Sequence, residues 1–165
     1  MAVKKILVPT DFSSAADQAL DYAVELARPS KAQLIALFVV EPVYAMPGDL
    51  YGASATYATL LEEQIAIGRR QLAGLAERLR RRQVPVRALL ETGIPWETIV
   101  ETARSSRADM IVMATHGRTG LAHFFLGSVT EKVVRSAACP VLTMRVGDGA
   151  KKRRAKPGKS RKRTK

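Results

Sequence analysis

The sequence predicts an α/β fold: a single doubly wound, five-stranded parallel sheet of order 3-2-1-4-5 with helices on both faces. Three observations predict it. Short apolar runs such as Ile6-Leu-Val8 and Leu34-Ile-Ala-Leu-Phe-Val-Val40 show no polar alternation, as strands buried on both faces should. Segments of helical periodicity separate these runs. Parallel strands need such crossovers, and the right-handed preference for them leaves few topologies.

The elements follow in order. Lys4 to Pro9 reads as the first strand. Ser13 or Ser14 can cap a helix running to about Ala27, with Ala16, Leu20, Ala23, Val24 and Ala27 on one face. Gln33 to Val40 is the second strand. Glu41 to about Ala55 holds two Pro and two Gly and reads as a long loop. Thr56 to Arg82 is a long amphipathic helix, with Leu61, Ile65, Gly68, Leu72, Leu75 and Leu79 on one face. Its last turns carry Arg78, Arg80, Arg81 and Arg82, solvated cations that oppose the negative helix end. Val84 to Leu90 is the third strand. Pro95 suits the first turn of the next helix, whose inner face is Ile99, Val100 and Ala103. Ala108 to Thr115 is the fourth strand, Gly127 to Ala137 the fourth helix, and Pro140 to Val146 the fifth strand.

Composition bounds the rest. The chain has 165 residues, enough for one domain with a real core. Its net charge of +12 is not spread evenly. Residues 1–150 carry 17 basic and 15 acidic side chains, a net +2, whereas residues 151–165 carry 10 basic side chains and no acid. The expected organisation is an α/β domain over 1–146 and a disordered, polybasic tail over 147–165. No apolar run reaches the ~18 residues of a membrane helix, and the start is too short and strand-like for a secretory signal. The single cysteine, Cys139, excludes an internal disulfide, fits a cytoplasmic setting, and reads as a small buried packing residue.

The richest segment is Ala114-Thr-His-Gly-Arg-Thr-Gly-Leu-Ala-His-Phe-Phe-Leu-Gly-Ser128. Its glycines sit where a strand gives way to a loop and where that loop enters a helix. Such a place presents bare backbone N–H groups to an anion, and the helix dipole adds to the attraction. In an open α/β sheet, ligands bind beyond the carboxyl ends of the strands, where the strand order reverses. Order 3-2-1-4-5 places that reversal between strands 1 and 4. Pro9-Thr10-Asp11 and Thr115-His116-Gly117 then meet at one crevice, with Val39 and Val40 beside it. Gly117 and Gly127 allow close approach, Ser128 and Thr130 supply hydroxyls, and the N–H groups of Gly127 through Thr130 are expected to be free. Asp11 could accept from a ribose or base, or hold Mg²⁺ through its waters. The plainer alternatives are Ser128 as an N-cap only and Asp11 as a turn residue only.

These segments resemble the universal stress protein family. Ile6-Leu-Val-Pro-Thr-Asp-Phe-Ser-Ser14, Asp109-Met-Ile-Val-Met-Ala-Thr-His-Gly-Arg-Thr-Gly-Leu121, Leu126-Gly-Ser-Val-Thr-Glu-Lys-Val-Val-Arg-Ser136 and Cys139-Pro-Val-Leu142 carry the resemblance, which spans about residues 3–146. The ATP-binding branch of that family has the pattern G-x-x-G-x9-G-[ST]. Here the second glycine is Gly117, nine residues follow (Arg118 to Leu126), and Gly127-Ser128 close the pattern. The departure is Ala114, which stands where the pattern has its first glycine and adds a methyl beside the ribose. The resemblance implies ATP with Mg²⁺ as ligand. It implies Pro9, Thr10, Asp11 and Val39 at adenine and ribose, with Met113 and Ala114 beside the sugar. It places Gly117, Gly127, Ser128, Val129 and Thr130 at the phosphates. It also implies a homodimer paired through strand 141–144.

Nothing in the sequence marks a fast enzyme. The G-x-x-x-x-G-K-[ST] loop is absent. His116 and His123 are the two histidines, Lys132 is expected to be solvated, and slow ATP hydrolysis would be the most to expect. The expected role is a nucleotide-dependent stress-response or signalling module. The alternative is a relative that does not bind ATP and whose basic tail attaches it to nucleic acid or another polyanion.

Overall fold

Strand β1 (Lys5–Pro9) runs up the middle of a five-stranded sheet. The computed structural model describes residues 3–42, 53–115 and 127–145. The other elements are α1 (Ser14–Ser30), β2 (Gln33–Val40), α2 (Ala53–Arg81), β3 (Val86–Thr92), α3 (Pro95–Ser105), β4 (Met110–Ala114), α4 (Ser128–Ser136) and β5 (Val141–Met144). The sheet order is β3-β2-β1-β4-β5 and every pairing is parallel, as the sequence predicts. The tail expected over 147–165 lies outside the described residues.

Strand alternation divides the core in two. Ile6, Val8, Leu34, Ala36, Val112 and Ala114 pack with Leu20 and Val24 of α1 and with Leu72, Leu75 and Leu79 of α2. Leu7, Ile35, Leu37, Ile111 and Met113 pack on the other face with Ile99 and Ala103 of α3 and Val133 of α4. The chain therefore leaves β1 toward one face and β4 toward the other.

Element boundaries shift where the chain closes a helix. Lys31 ends α1 in the left-handed conformation, and its N–H returns to the carbonyls of Ala27 and Arg28. Pro29 stands inside the last turn, where its missing N–H costs the helix one bond near its end. Val84 belongs to the exit of α2, where its N–H donates to the Leu79 carbonyl, so β3 starts two residues later than expected. Ala108 likewise closes α3 onto the Ala103 carbonyl, so β4 starts at Met110.

The arginines at the end of α2 are largely solvated, as expected, and two of them also reach across to α1. Arg78 pairs with Asp17 of α1 at 2.7 Å, and Arg82 pairs with Asp21 and, at 3.6 Å, with Glu25. These are largely exposed pairs whose contribution is small, so they orient α2 along α1 more than they hold it there.

The junction of β1 and β4 is tied by one carboxylate. Asp109 Oδ2 accepts from the N–H of Lys4 at 2.7 Å and from the N–H of Lys5 at 2.8 Å. The Asp109 N–H donates to the Lys5 carbonyl at 2.9 Å. These bonds favour the ionised carboxylate, and the Lys4 N–H followed by that of Lys5 draws its pKa below the ordinary value. A depressed carboxylate stabilises the fold above its unfolded pKa, and that stabilisation is lost as pH falls through the folded pKa. In urea titrations, Asp109→Asn should be less stable than the parent at neutral pH. The gap should close as the pH drops below about 4.

Candidate functional site

Where β1 and β4 end, the sheet opens into a cavity of about 430 Å³. Pro9, Thr10, Asp11, Val39, Met113, Ala114, Gly127, Ser128, Val129 and Thr130 all line it. Segments over a hundred positions apart in sequence thus share one wall. Gly117, His116 and His123 lie outside the described residues.

The first wall is the loop after β1. The Thr10 N–H extends the sheet by donating to the Leu37 carbonyl at 2.8 Å. Thr10 is buried, and its Oγ1 accepts from the Phe12 N–H at 3.0 Å. Asp11 Oδ1 accepts from the Ser13 N–H at 3.0 Å, and Ser13 Oγ in turn accepts from Ala16 to cap α1. Asp11 is therefore a turn residue and a cavity-lining residue at once. Phe12 completes the loop with φ of 61°, in the left-handed region.

The second wall is the start of α4. Gly127 is the N-cap, with extended backbone and no capping side chain, so Ser128 is the first helical residue and not the cap. The Gly127 N–H donates to the Thr115 carbonyl at 2.8 Å, which corrects the expectation that it is free. The first bond of the helix runs from the Glu131 N–H to the Gly127 carbonyl. The N–H groups of Ser128, Val129 and Thr130 thus head the helix with no acceptor among the described residues. Thr130 is also less available than its hydroxyl suggests. Its Oγ1 donates to the Ala114 carbonyl at 3.1 Å, so it offers an anion its backbone N–H and not its side-chain proton.

Ala114 is 9% exposed and belongs to the core on the α1 side. Its methyl is largely accommodated by protein. Leu37, Phe38, Glu41, Pro95 and Ile99 complete much of the lining, and the sequence reading missed them. Pro95 and Ile99 were findable: each right-handed crossover returns its helix start to the same carboxyl edge of the sheet.

An uncapped helix start suits an anion, and the flanking apolar wall suits a flat ring. Asp11 and Glu41 are the lining carboxylates, and the described residues assemble no group of three or more protein metal ligands. A cation here would be held mainly through water and the anion itself. Lys132 is exposed, as expected, and its Nζ lies 5.6 Å from the centre of the Trp96 ring. Cys139 is half-buried, and burial pushes its thiol pKa up, as in an inert packing cysteine. No helix among the described residues is long and apolar enough to cross a membrane.

Residues 2–145 match the model of the Universal stress protein family. A universal stress protein of Methanocaldococcus jannaschii is 35% identical over 144 residues, covering 86% of this chain and 82% of that protein. The solved structure of universal stress protein UspA from Lactobacillus plantarum is 31% identical, with TM-score 0.73 and coverage of 88% of this chain and 99% of its own. A universal stress protein solved in complex with cAMP is 25% identical, with TM-score 0.61 and coverage of 88% and 98%.

The bond from Thr130 to Ala114 is open to direct test. Thr130→Val leaves a buried carbonyl without its donor and should lower unfolding stability by about 1–3 kcal/mol. Thr130→Ser keeps the donor and should recover most of that loss in the same urea titration.

Proposed function

The chain belongs to the universal stress protein family, and on that premise we propose that it binds ATP in the cavity between β1 and β4 and works as a nucleotide-dependent stress-response module in the cytoplasm. One observation carries this reading. Ser128, Val129 and Thr130, whose N–H groups have no acceptor among the described residues, line the same cavity as Thr10, Asp11 and Val39. The phosphates would lie on that helix start, and the adenosine along Asp11, Val39 and Met113. Mg²⁺ would be carried by the phosphates, with Asp11 reaching it through water. The relative solved with cAMP supports an adenine nucleotide as the ligand class. The Ala114 methyl packs largely into the core, which leaves room for the ribose.

Binding tied to a partner gives the module its output. A ligand held only by one conformation stabilises that conformation by mass action. The surface for a second copy would be β5, the sheet edge at Val141–Met144, where all four residues are half-buried in the single chain. Its open backbone groups favour pairing with another strand.

A second reading rests on charge alone. Ten cations in residues 151–165 would attach the protein to a polyanion with steep salt dependence. Loss of DNA retention on deleting 147–165, strongest at low salt, would support it.

The nucleotide reading predicts two effects of opposite sign from one substitution. An aspartate at an N-cap satisfies the helix donors itself and repels phosphate. Gly127→Asp should leave unliganded stability unchanged or raise it by roughly a few tenths of a kcal/mol. It should also weaken ATP binding at least about tenfold, a loss of ~1.4 kcal/mol. Calorimetric titration and thermal melts read the two quantities. Wild-type protein that yields no nucleotide on acid extraction and shows no thermal shift with ATP would refute the reading.

A further inference from the structure

We infer that Gly68, in the middle of α2, is a positioning residue for the Asp11 loop and acts through the Phe38 and Phe12 rings; its bearing on ligand affinity rests on the nucleotide reading above. A Cβ placed on Gly68 would lie 2.5 Å from Phe38 Cε1 and 2.7 Å from its Cδ1. It would also lie 3.1 Å from Leu90 Cδ1. The missing side chain is therefore a notch in the helix that admits the edge of the Phe38 ring. Elsewhere on α2 a glycine has no such reason: a Cβ at Gly74 would meet nothing within 4 Å.

Seated in that notch, Phe38 reaches the other way. Its ring centre lies 4.8 Å from that of Phe12, with the planes inclined by 47°. Phe38 also lines the cavity itself. Phe12 needs the support. A phenylalanine at φ of 61° carries strain of about 1–2 kcal/mol, and such a conformation persists only where its surroundings impose it. Two constraints impose it here: the bond from its N–H to Thr10 Oγ1, and the contact with the Phe38 ring. The residues on either side of Phe12 are Asp11, which lines the cavity, and Ser13, whose N–H closes the turn on Asp11 Oδ1.

Displacing Phe38 therefore loosens the turn that aims Asp11. A ring is rigid, Leu90 borders the same notch and Phe12 touches the ring, so a methyl on Gly68 that displaces Phe38 disturbs its contact with the loop. The route from α2 to the cavity is steric and short.

Amide hydrogen exchange at Phe12 and Ser13 reads the turn without any ligand, and titration with ATP reads the consequence. Gly68→Ala should speed exchange of both amides by about fivefold or more, relative to core amides of the same variant. Phe38→Leu, which removes the ring contact without a clash, should do the same. The double variant Gly68→Ala, Phe38→Leu should match Phe38→Leu alone, because Cε1, the atom nearest the new methyl, is gone and the aliphatic Cδ atoms can rotate away from it. ATP affinity should fall in step with the exchange. Unchanged exchange at both amides in Gly68→Ala and Phe38→Leu would overturn the inference, as would effects that multiply in the double variant. A wild type that binds no ATP would sink the nucleotide reading alone, since the exchange data still judge the positioning.

Discussion

The pairing of β1 with β4 is the constraint on which the rest of the molecule depends. Ile6 and Leu7 lie beside Met110 and Ile111, and Ile6, Leu7 and Val8 are fully buried. Each such side chain contributes about 1.5–3 kcal/mol by leaving water. Ile6 and Val8 belong to the core under α1 and α2, while Leu7 belongs to the core under α3 and α4. A slip of one residue would exchange all three between the cores, so the register is strongly specified. Asp109 fixes it at the amino-terminal end of the strands, away from the cavity, by holding the Lys4 and Lys5 amides. Once β1 and β4 are neighbours, the chain must leave them toward opposite faces. The cavity is the gap that this divergence leaves.

That much was legible in the sequence because burial on both faces writes itself as uninterrupted apolar runs. The runs Ile6-Leu-Val8 and Leu34 to Val40 have no other economical reading, and the topology follows from the rules for crossovers. Most of the cavity wall was legible for the same reason, since strand order alone brings Asp11 to Gly127. What was not legible is where each hydrogen bond goes. A one-dimensional reading assigns Gly127 a free N–H by its place at a helix start, yet the Thr115 carbonyl has taken it. It does not pair Arg78 with Asp17 or Arg82 with Asp21, because those partners are some sixty residues away. It places Gly68 on the apolar face of α2 and cannot say what that glycine makes room for.

The polar groups around the cavity serve structure and site together. Thr10 and Asp11 each accept a backbone N–H of their own loop, and Thr130 donates to the carbonyl of Ala114 at the end of β4. Their orientation is set before any ligand arrives, which lowers the ordering cost of binding. The same bonds narrow what each group can offer. Thr130 keeps only its amide as a donor, so the donor set at the start of α4 consists of three backbone N–H groups and the Ser128 hydroxyl. Backbone donors arranged this way suit an anion.

Local departures from the most stable choice are informative where they cluster. Four non-glycine residues in the described chain have positive φ: Phe12, Lys31, Gln83 and Arg107. Three of them stand at the exits of α1, α2 and α3, where a left-handed residue turns helix N–H groups back onto the last carbonyls. Phe12 has no such reason, for it stands at the entry to a helix and beside the cavity. Gly127 is the second departure, a helix start left without a capping side chain on the facing wall. Sequences that specify a fold usually satisfy local preferences everywhere except at sites under another demand. A strained loop and a helix start without a capping side chain meet at one cavity, and there local preference has yielded to another demand.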